Sequence, residues 1–499
     1  MSSRPLFVTL AAVGSMGTPA PPPGLAAGAA WDQILHLQDG RYNNAARIAY
    51  DVTNGEVRLA WKYQVGTDSN TRQVAAGAWP GTVPGWSFTD LTANVSSKEY
   101  PDVAVAPDGV AHVVWREHLG GGNWQVFHAD DRGGAWGSPT QLTFDATLKG
   151  SAVVAVGDPG GIVHVAYSTL ESGSDNDEIH YLLYDSVADT SATIPVTDDL
   201  VTDDDASIAV TADGVVSIAW LTGLFSGAVR CVEGDLGGFT EIPTGVGADA
   251  AQPDLALDAD GRQHLVYRHT LGGGNRVIRY VRRAGAGFTA PIDASPTDAF
   301  YTQPSLLVAA GGFPAVAYVA NTSGHRGLYV SDWDSSQFAS PDTVHADENV
   351  TYNETDFAVN PISVGLPRRA ASGAFVVTST GYVEADTVRA DLHVFEGAVS
   401  AVSAPVVSAP DPGGLRLAAR PTPFRSGTVI GFTLPEPARR VRLDVHDVTG
   451  RRVARLADTA RGAGTHRIRW SPERLAGGVY WIRLDADGRR ETVAVHRVR

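Results

Sequence analysis

Thiols and lysines are scarce in this chain. Its single cysteine, Cys231, excludes an intramolecular disulfide and a thiolate metal site. Flanked by Arg230 and Val232 in strand-like alternation, it reads as a half-buried structural thiol. Only three of the 39 basic residues are lysines, Lys62, Lys98 and Lys149, a skew that reads as genome composition and not function. No stretch after the N-terminus reaches the ~18 apolar residues that would span a bilayer. The formal charge of −16 argues against general nucleic-acid binding, which needs a basic surface to displace counterions. Nucleophile-elbow, phosphate-loop and His-Glu-x-x-His sequences are absent as well, so no catalytic set is assigned.

What is abundant is turn-forming residue and alternating strand. A chain of 499 residues with 54 glycines is too long for one ordinary core, so repeats are the first thing to look for. One pattern recurs: a short apolar strand, an Asp-Gly or Gly-Gly turn, and a second strand ending in an aromatic residue. The aromatics are Trp61, Trp115, Tyr167, Trp220, Tyr267 and Tyr318, spaced by 54, 52, 53, 47 and 51 residues. A fainter copy runs from Asp356 through Phe375 to Val377. Third strands such as WQVFHA (124–129) follow, and fourth strands open on Trp86, Trp136, Phe239, Phe288 and Phe338. This period is that of a four-stranded propeller blade. The predicted fold is all-β: a seven-bladed, alternatively six-bladed, β-propeller over 31–400. Trp31 and the segment WDQILHL supply a fourth strand for the last blade, closing the ring and removing an exposed edge.

The segment HADDRGGAW (128–136), through Asp131, Gly133 and Trp136, resembles the Asp-box turn of sialidase-like, BNR-repeat propellers. The resemblance implies a structural turn between third and fourth strands. It also raises a sialidase-like glycosidase as an alternative function, with Arg47 standing where that family places its first arginine, though no further arginines or Tyr/Glu pair are found to complete a site. In a propeller, the loops entering each innermost strand and those joining the second and third strands share one face. That face would carry Arg47, Tyr100, Arg116, His118, Trp124, Arg268, His269, Arg276, Tyr301 and Tyr352 as ligand-binding residues, since aromatics and arginines suit carbohydrate or anionic ligands. The matching segments REHLGGGNW (116–124) and RHTLGGGNR (268–276) are read as hairpin tips on that face.

His112, His164 and His264 could be taken for a zinc set, but they recur three residues before the blade aromatic. A residue in register is spread around a ring, so they are assigned to packing and no metal site is expected. The acidic runs Asp175-Asn176-Asp177-Glu178 and Asp203-Asp204-Asp205 lack the spacing of a known calcium loop and read as solvated turns. No cofactor is required, and calcium is the one the composition admits.

Both ends of the chain differ from the middle. Residues 1–30 carry Arg4, an apolar run from Pro5 to Val13 and an Ala/Gly/Pro stretch, the order of a signal peptide. A Pro/Ala/Ser-rich linker covers 401–414. From Gly413 onward roughly 18 arginines face 8 acids, and short alternating strands bounded by Gly or Pro predict an Ig-like β-sandwich over 415–499. Pro423-Phe424, Leu434-Pro435, Asp447-Val448-Thr449-Gly450-Arg451, Gly464-x-His466, Trp470 and Gly478-Val479-Tyr480 resemble the type IX secretion sorting domain, related to the FlgD Ig-like fold. The resemblance implies export of a folded cargo through a bacterial outer membrane. The expectation is a secreted or cell-surface monomer whose partners are the secretion machinery and a glycan or surface-protein ligand. A structural surface protein without a ligand is a further alternative.

Overall fold

The computed structural model describes residues 32–397 and 416–497, apart from 65–71, 81–84, 158–160, 171–175, 334–336, 346–350, 360–373, 421–427, 448–450 and shorter stretches elsewhere. The chain divides into two compact units, Met1–Val402 and Ser403–Arg499. Among the described residues every regular element is a strand, and no helix is long and apolar enough to cross a membrane.

In the first unit the strands form antiparallel meanders, called sheets I to VII in chain order. Their innermost strands are Tyr42–Asp51, Lys98–Val105, Leu148–Ala155, Asp203–Val210, Ala250–Leu257, Phe300–Ala309 and Thr351–Val359. Each innermost strand packs beside that of the next sheet, and the last returns to the first, so the sheets close a ring about a central axis. This is the topology of a β-propeller. Single parallel bridges, Tyr42 to Ala390 and Arg276 to Phe300, join neighbouring sheets. The N-terminal strand Asp32–Leu37 pairs antiparallel with Thr387–Gly397, the third strand of sheet VII, and so completes that sheet from the other end of the chain. Leu35 and Leu37 of this clasp are buried with Leu392 and Val394.

Local chemistry explains each meander. The turns from first to second strand place Gly109, Gly214 and Gly261 at φ of 86°, 83° and 77°, where a Cβ is disfavoured. Second strands such as Ala111–His118 are buried on both sides because neighbouring sheets cover both faces, and their aromatics Trp61, Trp115, Tyr167, Trp220, Tyr267 and Tyr318 fill the space between sheets. The outermost strands are short and largely exposed, as in Ser87–Asp90. Cys231, expected half-buried, is completely buried because its strand is covered on both sides, and burial pushes its thiol up to about 12.

The second unit has two sheets. Arg416–Arg420, Thr428–Leu434 and Gly464–Trp470 form one; Ala438–Asp447, Arg452–Arg461, Gly478–Ala486 and Arg489–Arg497 form the other. They share one apolar core, with Ile430, Phe432, Leu434 and Trp470 from the first sheet against Val441, Leu443, Tyr480, Ile482 and Val495 from the second. The Trp470 and Tyr480 rings meet edge-on at 5.7 Å. Pro423-Phe424 and Val448-Thr449-Gly450 lie outside the described residues.

Candidate ligand-binding site

The innermost strands all break register at one place. In sheets I to VI the shift falls after Asn44, Glu99, Lys149, Asp204, Ala251 and Thr302. A bulge there lets one extra residue turn out of the ladder, and non-glycine residues adopt left-handed φ at five of these sites: Ala45, Tyr100, Asp205, Gln252 and Gln303, at 51° to 59°. Such angles are strained for residues with a Cβ and mark positions where side-chain aim matters.

In sheet II the bulge exposes Tyr100, and a cluster forms around it. Arg116 follows the buried Trp115, so strand alternation turns it away from the core toward the bulge. Its guanidinium lies 4.7 Å from the Tyr100 ring centre and 4.4 Å from that of Trp124, and is held between the two rings. Arg116 Nη2 donates to Glu99 Oε2 at 2.6 Å and Nη1 to the Lys149 carbonyl at 3.2 Å. The His118 ring is 5.0 Å from Trp124. Arg72 pairs with Glu99 from sheet I, and Lys62 Nζ stands 6.0 Å from the Tyr100 ring. Burial would raise the Glu99 carboxyl, but Arg116, Lys62 and Arg72 together hold it below its ordinary value.

Four of the ten residues expected at a ligand face, Tyr100, Arg116, His118 and Trp124, are thus one cluster. Sheet V repeats it in weaker form. Arg268 occupies the place of Arg116, and burial and the neighbouring Arg276 push its guanidinium down while Asp205 opposes them. Arg276 stands 5.7 Å from the exposed Phe300 ring. His269 meets Tyr267 edge-on at 6.5 Å, and burial and Arg279 keep its imidazole below the ordinary value. Tyr301 is buried and donates its hydroxyl to Asp298 at 2.7 Å, so it belongs to the core of sheet VI. The Tyr352 side chain lies outside the described residues.

Arg47 lies on the innermost strand of sheet I, on the side of the ring axis. From sheet I its charge acts on Asp102, Asp205 and Asp254 of sheets II, IV and V, as only a residue aimed at the ring axis does. Desolvation inside the ring pushes all three carboxyls up, although Asp205 is exposed and Asp102 and Asp254 are only half-buried. Two of them stitch adjacent innermost strands: Asp102 Oδ2 accepts from Val154 N–H at 2.8 Å and Asp254 Oδ2 from Leu306 N–H at 2.7 Å. Ser207 does the same, accepting from Leu255 N–H at 3.0 Å. Asp205 does so as well, accepting from the Gln252 backbone N–H of sheet V, and it sits on its bulge beside Asp204.

The in-register histidines are packing residues. His164 Nδ1 lies 2.7 Å from the Tyr181 hydroxyl and His264 Nδ1 2.6 Å from that of Tyr280. In sheet II the partner at the same register is His128, whose Nε2 is 3.0 Å from His112 Nδ1. Asp130 is near this pair, but Arg132 Nε at 3.7 Å already supplies it with a cation. The HADDRGGAW segment forms the turn leaving the third strand of sheet II; Asp131 accepts from Ala111 N–H at 2.8 Å and from Arg58 of sheet I at 2.9 Å. The acidic runs are not solvated turns: Asp177 and Glu178 begin a third strand, Asp203 to Asp205 begin an innermost one, and Glu178 and Asp203 are buried where those sheets meet. A pocket near Asp258, Arg262, His264 and Arg282 lies on the side of the first-to-second turns, and Asp258, Asp260, Arg262 and His264 are paired with one another there.

Reading single residues missed Glu99, Arg72, Lys62, Asp205 and Phe300. Lys62 was detectable, since it follows Trp61 as Arg116 follows Trp115 and Arg268 follows Tyr267. Glu99 precedes Tyr100 on the same strand, whereas Arg72, Asp205 and Phe300 lie on other sheets and leave no local signal.

No protein-family model matches the chain, and no curated protein matches it by sequence. Among solved structures it is similar to a protein of unknown function from Dyadobacter fermentans, at 12% identity and a TM-score of 0.45 over 74% of this chain and 99% of that one. It is similar to PorZ, a surface component of the type-IX secretion system of Porphyromonas gingivalis, at 13% and 0.39 over 91% and 59%, and to a Hadza microbial sialidase at 10% and 0.39 over 72% and 65%. Likenesses this remote carry no argument about the chain, whose propeller rests on its own strand order.

Proposed function

We propose that this protein is an exported, seven-bladed propeller of the sialidase-like kind that binds a glycan on the face bearing Tyr100, Arg116, His118 and Trp124, with an Ig-like C-terminal unit serving its delivery to the cell surface. One observation carries the binding reading: the Arg116 guanidinium is clamped between Tyr100 and Trp124 and fixed by Glu99, a pre-organised aromatic and cationic platform at the bulge of sheet II. Sugar rings stack on aromatic faces, and a fixed guanidinium, lysine and histidine suit hydroxyl and carboxylate groups. The seven-blade reading is supported by the closed succession of innermost strands and the N-terminal clasp.

The test is a glycan array probed with the full-length protein, followed by titration of the best ligand. Trp124→Ala is expected to weaken binding by roughly tenfold or more, as for the loss of one stacking anchor, without lowering the melting temperature by more than a few degrees. Absence of any glycan above background, or full affinity in Trp124→Ala, refutes the site. A glycosidase reading has one observation in its favour, the water-accessible Asp205 carboxyl pushed up beside Asp204, as a general acid requires. Release of free sugar from a bound glycan, lost in Asp205→Asn, would establish that reading.

A further inference from the structure

We propose that the junction between sheets III and IV is a binding site for calcium, held by Glu178, Asp199 and Asp203 in the place that a lysine ammonium fills at the two preceding junctions. The argument is a comparison of equivalent positions around the ring.

At each of these three junctions a threonine hydroxyl accepts a backbone N–H at 2.9 Å: Thr92 from Val74, Thr143 from Val126 and Thr197 from Ile179. The residue before that N–H is Gln73, Gln125 and then Glu178. Both glutamine amides donate to the carbonyls of the connecting loop: Gln73 to Asn94 and Ser96 at 2.8 and 3.2 Å, Gln125 to Asp145 and Thr147 at 2.9 and 3.2 Å. At the start of the following innermost strand, pairing with equivalent partners Glu117, Thr169 and Thr222, stand Lys98, Lys149 and then Asp203.

Both lysines are buried ammonium groups surrounded by oxygen. Lys98 Nζ donates to the Ser96 carbonyl at 2.6 Å and to Asn94, and is 3.5 Å from Glu117 Oε1. Lys149 Nζ donates to Asp145 at 2.6 Å, to Thr169 at 3.0 Å and to Thr147. At the third junction both donors have become carboxylates, and the loop position of Asn94 and Asp145 is Asp199. One oxygen atom from each of Glu178, Asp199 and Asp203 lies within 4.8 Å of the others.

Their other contacts leave a specific deficit. Glu178 receives Thr197 Oγ1 at 2.5 Å and Asp199 N–H at 3.2 Å, and Asp203 Oδ1 receives Thr222 Oγ1 at 2.5 Å. Asp203 Oδ2 is buried without a hydrogen bond of good geometry; the Thr197 hydroxyl beside it is committed to Glu178, which leaves the neighbouring Trp220 indole N–H as a weak, neutral donor to it. Among the described residues the cation paired with this cluster is Arg230, 3.6 Å from the exposed Asp199 Oδ2, and it is also bound by both oxygens of Glu241 at 3.0 Å. Burial and mutual repulsion push the Glu178 and Asp203 carboxyls up, and the charge of Arg230, which reaches Asp203 as well as Asp199, does not offset this. An all-oxygen set with two buried carboxylates and one exposed one selects a hard divalent cation with flexible coordination, which is calcium and not a thiolate- or imidazole-seeking metal.

The test uses the full-length protein stripped with EGTA. Calorimetric titration with calcium chloride is expected to give one saturable ion per chain, and millimolar calcium to raise the melting temperature by ~4 °C over EGTA. Asp199→Asn, at an exposed position, is expected to bind calcium more weakly by roughly tenfold or more while remaining folded. The double variant Glu178→Gln with Asp203→Lys rebuilds the lysine-type junction and is expected to melt independently of calcium. Wild-type protein that neither binds calcium nor melts differently with it overturns the proposal and leaves the cluster held by a shared proton and the Trp220 N–H. Undiminished binding in Asp199→Asn places the ion elsewhere and also overturns it; an equal melting shift with magnesium overturns the assignment to calcium.

Discussion

Replacing His164 with glutamine is expected to remove a defined part of the protein's acid sensitivity. His164 is buried between sheets, its Nδ1 lies 2.7 Å from the Tyr181 hydroxyl, and burial pushes its imidazole down to about 4. The unfolded imidazole titrates near 6.5, so between these values the unfolded chain binds a proton that the folded one refuses. Stability from this residue is therefore intact above about pH 6.5 and falls as pH drops toward 4. At pH 5 the unfolded imidazole is almost wholly protonated and the folded one only about a tenth, which corresponds to about 2 kcal/mol. Glutamine keeps a hydrogen-bond partner for Tyr181 and does not titrate. Urea unfolding of both full-length proteins at pH 7 and pH 5, followed by tryptophan fluorescence, measures the difference; the remaining histidines are common to both and cancel. The wild type should lose about 2 kcal/mol more than His164→Gln between the two pH values. Parallel losses would show that the imidazole titrates normally in the folded protein, and would refute its assignment as an enclosed packing residue.

Deleting residues 1–38 should expose the edge of Thr387–Gly397, unbury Leu392 and Val394, and produce concentration-dependent aggregation with a lower melting temperature, measured by light scattering and calorimetry; an unchanged monomer would sink the clasp as a closing device. If the C-terminal unit directs export, cells expressing the chain without 415–499 should retain the propeller inside, as read by fractionation, and unchanged surface delivery would refute the sorting role.

The features legible in the sequence are those whose physics is local. A strand alternates with period two because successive side chains point to opposite faces, and an Asp-Gly turn needs left-handed φ at one residue, so each meander announces itself within about fifty residues. The register of His112, His164 and His264 could be read the same way, because equal spacing from a buried aromatic implies equal environments. Arg116, His118 and Trp124 were within reach too, since they flank one hairpin tip. The clasp was visible because WDQILHL is a strand with nothing before it to pair with.

Tertiary structure decided everything that depends on which sheets are neighbours. Tyr301 and Arg116 both looked like loop-side polar aromatics or cations, yet one is buried against Tyr318 and the other is held open between two rings. Asp203 and Glu178 lie 25 residues apart in sequence and were read as separate solvated turns. Only the packing of sheet III against sheet IV buries both and brings them to Asp199, with Asp203 in the place that Lys98 and Lys149 take at the two preceding junctions. The sequence by itself determined the repeating unit, because hydrophobic period and turn chemistry act between residues close along the chain. The folded ring decided the charges, because electrostatic partners are set by proximity across sheets, and that proximity exists only once the ring has closed.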